Sequence, residues 1–292
     1  MDDPTKARVR LYLRSERARG LNAVPAREQT EGRPFSAAQE AANPTPPEPK
    51  AMEPAPRVAP KAASPQALFP GAVPHVKATG FAPIPVDQPF SAPLLSTDEK
   101  RQRLTAMNEK EVRLCTRCRL CETRTNTVFG EGDIDAKIFF IGEGPGETED
   151  QTGRPFVGRA GELLNKMIAG MGLAREQVYI ANIVKCRPPN NRVPAPDEVA
   201  TCTPYLERQI EIIRPSAIVT LGLPSTQYML QTKLSMGRMR GQFHAWRGIP
   251  LMPTYHPAYV LRNPTYETRS AVWSDLKQVL AKLGLPIPKK NV

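Results

Sequence analysis

Between residues 137 and 283 the chain alternates short apolar runs with helix-forming stretches, and this alternation restricts its fold more than any other feature. The runs are KIFFIG (137–142), VYIAN (178–182), AIVTLG near 216–221 and IPLMPTY (249–255). They are rich in Ile, Val and aromatic residues and continuous rather than alternating, the pattern of strands buried on both faces. Helices are predicted over Ala160–Met171, Pro196–Ile213, Pro224–Leu230 and roughly Glu267–Leu283. Strands separated by helices predict an α/β three-layer sandwich: a four-stranded parallel sheet between helices, with right-handed crossovers. In such sheets ligands sit outside the carboxyl ends of the strands. The polar clusters of this chain follow those ends.

The N-terminal third is different. Seventeen of the 32 prolines fall in the first 100 residues, and Ala41–Pro93 alternates Pro, Ala and other small residues. Too little apolar surface is on offer there to offset the entropy of ordering, so residues 1–95 are expected to be a disordered Pro/Ala-rich extension. Residues 5–19 are the exception, with Val9, Leu11, Tyr12 and Leu13 partly on one side of a short helix. That helix reads either as transient or as a docking motif for an unknown protein partner. The folded domain is expected over 96–292, opening at Ser96-Thr97-Asp98-Glu99, an N-cap followed by acids in the first turn.

The start, MDDPTKARVRLYLRSERARG, has no apolar core and so does not read as a secretory signal. Its Arg-rich character would suit an organelle transit peptide, against which Asp2 and Asp3 count. No apolar run approaches the length needed to cross a bilayer. A soluble, cytoplasmic, monomeric protein with no membrane partner is the expectation. The net charge is +11, of which 12 basic against 9 acidic residues (+3) precede residue 96 and 28 against 20 (+8) follow it. A basic folded part suits a polyanion such as nucleic acid, although solvated lysines alone would give the same balance.

Three polar clusters follow strand ends. The first is Gly142-Glu143-Gly144-Pro145-Gly146-Glu147-Thr148-Glu149-Asp150, continuing to Gly153-Arg154-Pro155-Phe156-Val157-Gly158. It has neither the GxGxxG spacing ahead of a helix nor a Gly-Lys-Ser/Thr, and four acids in eight residues repel phosphate. A neutral base or a developing cation fits it better; a tight acidic turn is the plain alternative. The second cluster is Asn182, then Lys185-Cys186-Arg187-Pro188-Pro189-Asn190-Asn191-Arg192. An amide at a strand end caps turns, but it also offers a donor and an acceptor side by side for a heterocycle edge. The basic residues beside it suit phosphates. The third is His256-Pro257-Ala258-Tyr259-Val260-Leu261-Arg262-Asn263-Pro264, one of only three histidines followed by an apolar tip with Arg beside it. Such a tip is what a wedge into a base stack requires, and a local core turn would look the same.

Five cysteines in a cytosolic chain point to metal rather than disulfides. Cys115 and Cys118 form a CxxC, with Cys186 and Cys202 distant and Cys121 left over. Zinc and an iron–sulfur cluster both accept four thiolates, and spacing does not choose between them.

Taken together, CTRC (115–118), FGEG (129–132), GEGPGETED (142–150), TGRPFVGRAGELLN (152–165), NIVKCRPPNNR (182–192) and HPAYVLRNP (256–264) resemble the family 4, iron–sulfur uracil-DNA glycosylases of bacteria and archaea. The resemblance covers nearly all of the folded part and none of the extension. It implies a [4Fe–4S] cluster held by Cys115, Cys118, Cys186 and Cys202, with Cys121 a spare. It implies uracil-containing DNA as substrate and hydrolysis of the N-glycosidic bond of deoxyuridine, leaving an abasic site. Phe156 would stack on the extruded base, Asn182 would pair with its O4 and N3–H, and His256 would meet the charge growing on O2. Glu143 would sit near the sugar and water, with Gly144 where family 1 enzymes carry a water-activating Asp. Glu149 would lie against C5 and exclude the thymine methyl. Tyr259, Leu261, Arg262 and Asn191 would contact DNA. A glycosylase of broader base range or of the DNA-trapping type is the nearest alternative, but the loop GEGPG lacks its Gln and Met236–Gln242 lacks its histidine. A non-catalytic iron–sulfur DNA-binding module is the alternative from another class.

Overall fold

The computed structural model describes residues 87–288, so the reading of residues 5–19 as a helix and of the extension up to residue 86 lies outside the described residues. Six strands form one sheet in the order β1-β3-β2-β4-β6-β5, namely β1 (Glu131–Gly132), β2 (Ile138–Gly142), β3 (Tyr179–Asn182), β4 (Ala217–Leu221), β5 (His244–Trp246) and β6 (Ile249–Thr254). The four predicted strands are the parallel core, β3-β2-β4-β6. Strands β1 and β5 are additions, short and antiparallel at the two edges. They were not expected because Glu-Gly and His-Ala-Trp are too short to carry a periodic pattern.

All five residues of β2 are buried, and alternate side chains feed separate cores. Phe139 and Ile141 pack with Leu104 and Met107 of α1 (Thr97–Met107), which continues as a π turn over Asn108–Val112, and with Leu206 and Ile210 of the helix over Pro196–Ile213. Ile138 and Phe140 pack on the other face with Leu164 and Ile168 of the helix over Arg159–Gly170, and with Leu276 and Val279 of the helix over Tyr266–Lys282. Continuous apolar strands are thus explained by cover on both sides. The remaining helices are short. In chain order the set is α1, α2 (Glu147–Thr152), α3 (Arg159–Gly170), α4 (Pro196–Ile213), α5 (Leu223–Leu230), α6 (Met236–Met239), α7 (Pro257–Arg262) and α8 (Tyr266–Lys282).

From β2 the chain passes to β3 on one side and then returns to β4 on the other. The loops after β2 and β4 therefore diverge and open a crevice at the carboxyl ends, where sheets of this kind bind ligands.

Residues ahead of α1 also touch the domain. Arg247 Nε donates to the carbonyl of Gln88 (3.1 Å) and Arg214 Nη2 to that of Ala92 (2.9 Å). Both guanidinium groups lie over the Phe90 ring, 3.9 and 4.0 Å from its centroid, and Trp246 meets it edge-on at 5.8 Å. Two cation–π contacts and an aromatic pair together contribute about 2 kcal/mol. A chain starting at residue 96 should therefore melt roughly 4–8 °C below one starting at residue 87. Equal melting temperatures would show that the Phe90 contacts contribute nothing.

Candidate active site

All ten residues expected to act in catalysis, base reading and DNA contact line one cleft of about 1010 Å³ at the carboxyl ends of the parallel strands. Asn182, the last residue of β3, lies opposite Gly142 in the parallel register and is 1% exposed. Its Oδ1 is one of two buried side-chain polar atoms without a partner among the described residues. A β-carbon on Gly142 would overlap both that oxygen and the edge of the Phe156 ring. Glycine here thus lets an amide and an aromatic ring both pack against the backbone.

His256 caps α7, its Nδ1 accepting from the backbone N–H of Ala258 (3.1 Å). A ring nitrogen that accepts is unprotonated, so the neutral imidazole carries its hydrogen on Nε2 and can donate it. Burial first, and then the charge of Arg262, push the His256 pKa down to about 4. The ring sits 5.7 Å from that of Phe156, tilted by 35°. Glu143 follows β2 directly, and burial raises its carboxyl above the usual range.

The acidic loop divides its labour in a way its sequence does not reveal. Glu149 Oε1 accepts from the backbone N–H of Val157 and Gly158 (both 2.8 Å), and Oε2 accepts from that of Gly146 (3.1 Å). Asp150 is buried and accepts from the backbone N–H of Thr125 and Asn126. Two of the four acids therefore hold backbone in place.

On the rim, Tyr259 and Leu261 are 39% and 40% exposed, and Tyr259 stacks on Tyr255 at 4.9 Å. Asn191 has a positive φ of 54° and accepts from Arg187 through Oδ1 (2.8 Å). Arg159 also lines the cleft and was not anticipated. The basic residues beside Asn182 do not all serve phosphate. Lys185 is 1% exposed, and its Nζ donates to the carbonyl of Asn182 (3.0 Å) and to Gln209 Oε1 (2.6 Å). It holds the end of β3 at Asn182 from beneath. Arg192 pairs with Glu198 on α4, bidentately at 2.6 and 2.8 Å.

Cys115, Cys118, Cys186 and Cys202 line one small cavity, and Cys121 is not part of its wall. Arg124 Nη1 lies 3.0 Å from Cys186 Sγ, and the backbone N–H of Lys185 lies 3.1 Å from Cys202 Sγ. Burial pushes these two thiols up to about 11 and about 12 respectively. Among the described residues no three Cys, His, Asp or Glu side chains converge on a point where one ion would sit. A single zinc would draw its sulfurs to within about 3.8 Å of one another. Glu198 ties this region to the cleft, because it also accepts from Arg119 beside Cys118 (2.8 Å). The Arg192 bond is the main cause that its pKa falls to about 2.

Comparison with known proteins follows the same outline. Residues 129–277 match the uracil DNA glycosylase superfamily. A type-4 uracil-DNA glycosylase of Thermotoga maritima is 48% identical over 180 residues, 61% of this chain and 94% of the relative. The type-4 enzyme of Saccharolobus solfataricus is 51% identical over 183 residues, 60% of this chain and 84% of the relative. That of Sulfurisphaera tokodaii is 49% identical over 180 residues, covering 59% and 81%. The matched span includes the cleft, Asn182, His256 and the loop after β2, and the chain belongs to the uracil-DNA glycosylase superfamily, within its type-4 branch.

Proposed function

We propose that the chain excises uracil from DNA by hydrolysing the N-glycosidic bond of deoxyuridine. The observation that carries this reading is the buried, unpartnered Oδ1 of Asn182, a residue that lines the cleft together with Phe156. An orphaned buried acceptor costs about 1–3 kcal/mol, and a uracil N3–H would satisfy it.

A base cannot be cut within the stack, so the nucleotide is first extruded, at a cost of a few kcal/mol and least at a mispair. Tyr259 and Leu261 press on the duplex, Arg262 and Asn191 contact its strand, and Phe156 stacks on the base. Asn182 donates from Nδ2 to O4 and accepts N3–H at Oδ1. As the bond from C1′ to N1 lengthens, negative charge grows on the uracil and positive charge on the sugar. His256 donates Nε2–H to O2, and being neutral it needs no proton from solvent. Glu143 faces the sugar cation and orients water toward C1′, and the narrow turn at Gly144 lets backbone approach the base. Glu149, fixed by three backbone N–H groups, forms the wall at C5 where a thymine methyl would collide. Incubation with a uracil-containing oligonucleotide should yield free uracil and an alkali-labile abasic site. Binding without abasic sites would instead favour a non-catalytic DNA-binding module.

We further infer that Cys115, Cys118, Cys186 and Cys202 hold a [4Fe–4S] cluster. Each thiolate of such a cluster binds its own iron, which suits four cysteines that share a cavity without converging. Arg124 supplies positive charge beside Cys186, and the backbone N–H of Lys185 points at Cys202. Bound there, the cluster would cross-link the segment before β1, the loop after β3 and α4. Anaerobically purified protein should be brown, with iron and acid-labile sulfide in equal amounts, and Cys186→Ser should lose both colour and DNA binding. Stoichiometric zinc without iron would overturn the assignment.

A further inference from the structure

We propose that Arg175, in the loop before β3, positions Phe156 as the platform for the extruded base. This rests on the reading of Phe156 given above. The backbone at Phe156 is in the left-handed region, with φ of 50°. For a bulky residue that conformation persists only where the surroundings over-determine it.

Two charged side chains do so here, one from each side of the turn. Glu149 takes the N–H groups of Val157 and Gly158. Arg175 takes the preceding carbonyls, with Nη2 donating to Pro155 and Nη1 to Phe156 (3.1 Å for the second). Its other donors go to Asn165 Oδ1 (2.7 Å) and, from Nε and Nη2, to Glu131 Oε1 (2.9 and 2.7 Å). All five N–H groups of the guanidinium are thereby used. Glu131 is fixed in turn by Arg154 at 2.9 and 3.1 Å and by the pairing of β1 with β3. On the far side, a β-carbon on Gly161 of α3 would overlap the Phe156 carbonyl. The FGEG and TGRPFVGRAGELLN segments, beyond Phe156 itself, converge on this one turn.

A lysine does not reproduce the arrangement, because its point charge lacks the planar fork that spans two carbonyls and a carboxylate. Arg175 touches neither base nor sugar. Its effect on chemistry runs through the angle and height of one ring.

The test uses the full chain and three DNAs: a uracil duplex for single-turnover excision, one with uncleavable 2′-fluorodeoxyuridine, and one with an abasic analogue. Arg175→Ala should slow excision about 10- to 100-fold and weaken 2′-fluorodeoxyuridine binding at least 10-fold. Affinity for the abasic analogue should stay within 2-fold, since no base is there to stack. In a Phe156→Ala background the Arg175 substitution should change the rate less than 3-fold, because both act on one contact. Multiplicative effects, equal losses on the two DNAs, or an unchanged rate would each overturn the proposal. If Arg175→Ala does not fold, Arg175→Lys carries the same comparisons with an intermediate loss. Should Phe156→Ala itself excise at the wild-type rate, the base-platform reading fails, a result distinct from failure of Arg175 alone.

Discussion

Asn182→Asp is expected to slow uracil excision by roughly 10²–10⁴-fold and to narrow the gap between uracil and cytosine. Uracil presents an acceptor at O4 and a donor at N3, and cytosine presents the reverse. An amide held in one orientation meets uracil with both groups and cytosine with neither. Each unmet polar group in a desolvated site costs about 1–3 kcal/mol, so two mismatches account for discrimination of that order. Asp in the ionised form offers two acceptors and repels O4. Burial favours its protonated form, which offers one donor and one acceptor that can turn to suit either base. Part of the uracil activity should therefore return as pH falls, and cytosine should be cut slowly, held back as the poorer leaving group. Single-turnover excision from matched uracil and cytosine oligonucleotides measures both effects. Unchanged rates on both would make Asn182 a turn cap and leave base reading to another group.

His256→Ala should slow the chemical step about 10²–10³-fold, the usual loss for one oxyanion donor. DNA affinity should change little, because salt-dependent phosphate contacts remain. The substitution also removes the cap on Ala258 N–H, so His256→Asn, which restores an N-cap acceptor, separates capping from catalysis. The pH dependence is a second signature. His256 has its pKa pushed from 6.5 to about 4 in the folded protein, so the unfolded chain takes up the proton first as pH falls. Stability from this group is complete above about pH 6.5, is lost progressively toward pH 4 and changes no further below that. His256→Ala should flatten that slope. An acid limb of the excision rate set by Glu143, whose carboxyl burial raises, should by contrast survive in His256→Ala. A wild-type rate in His256→Ala would remove the histidine from the mechanism.

The parallel core was legible because burial on both faces leaves no room for polar residues, and KIFFIG and VYIAN therefore read as strands without periodicity. The helix α2 was not, since Glu-Thr-Glu-Asp-Gln-Thr has no apolar face; its only signal is Glu149 reaching back to the N–H of Gly146. Asn182, Glu143 and His256 stood out as polar residues directly after apolar runs. The burial of Lys185 was not legible, because nothing local distinguishes a lysine bonded beneath a strand end from one in solvent. Arg175 carried no signal at all. Its partner Glu131 lies 44 residues upstream, on a strand too short to recognise, and only the closed sheet brings the two together.

Those short outer strands have a consequence for the protein's behaviour in concentrated solution. Four parallel strands of nearly unbroken apolar sequence would, if their edges lay open, template pairing with other chains. Here β1 covers Tyr179 and Ile180 and β5 covers Ile249, Pro250 and Leu251, so the outermost strands are only two and three residues long and offer a stranger a short edge to join. The second side is blunted further, since the ring of Phe90 rests against Trp246 at the end of β5. A net charge of +11 adds repulsion between like molecules. Resistance to aggregation is thereby built into the borders of the sheet rather than into its centre.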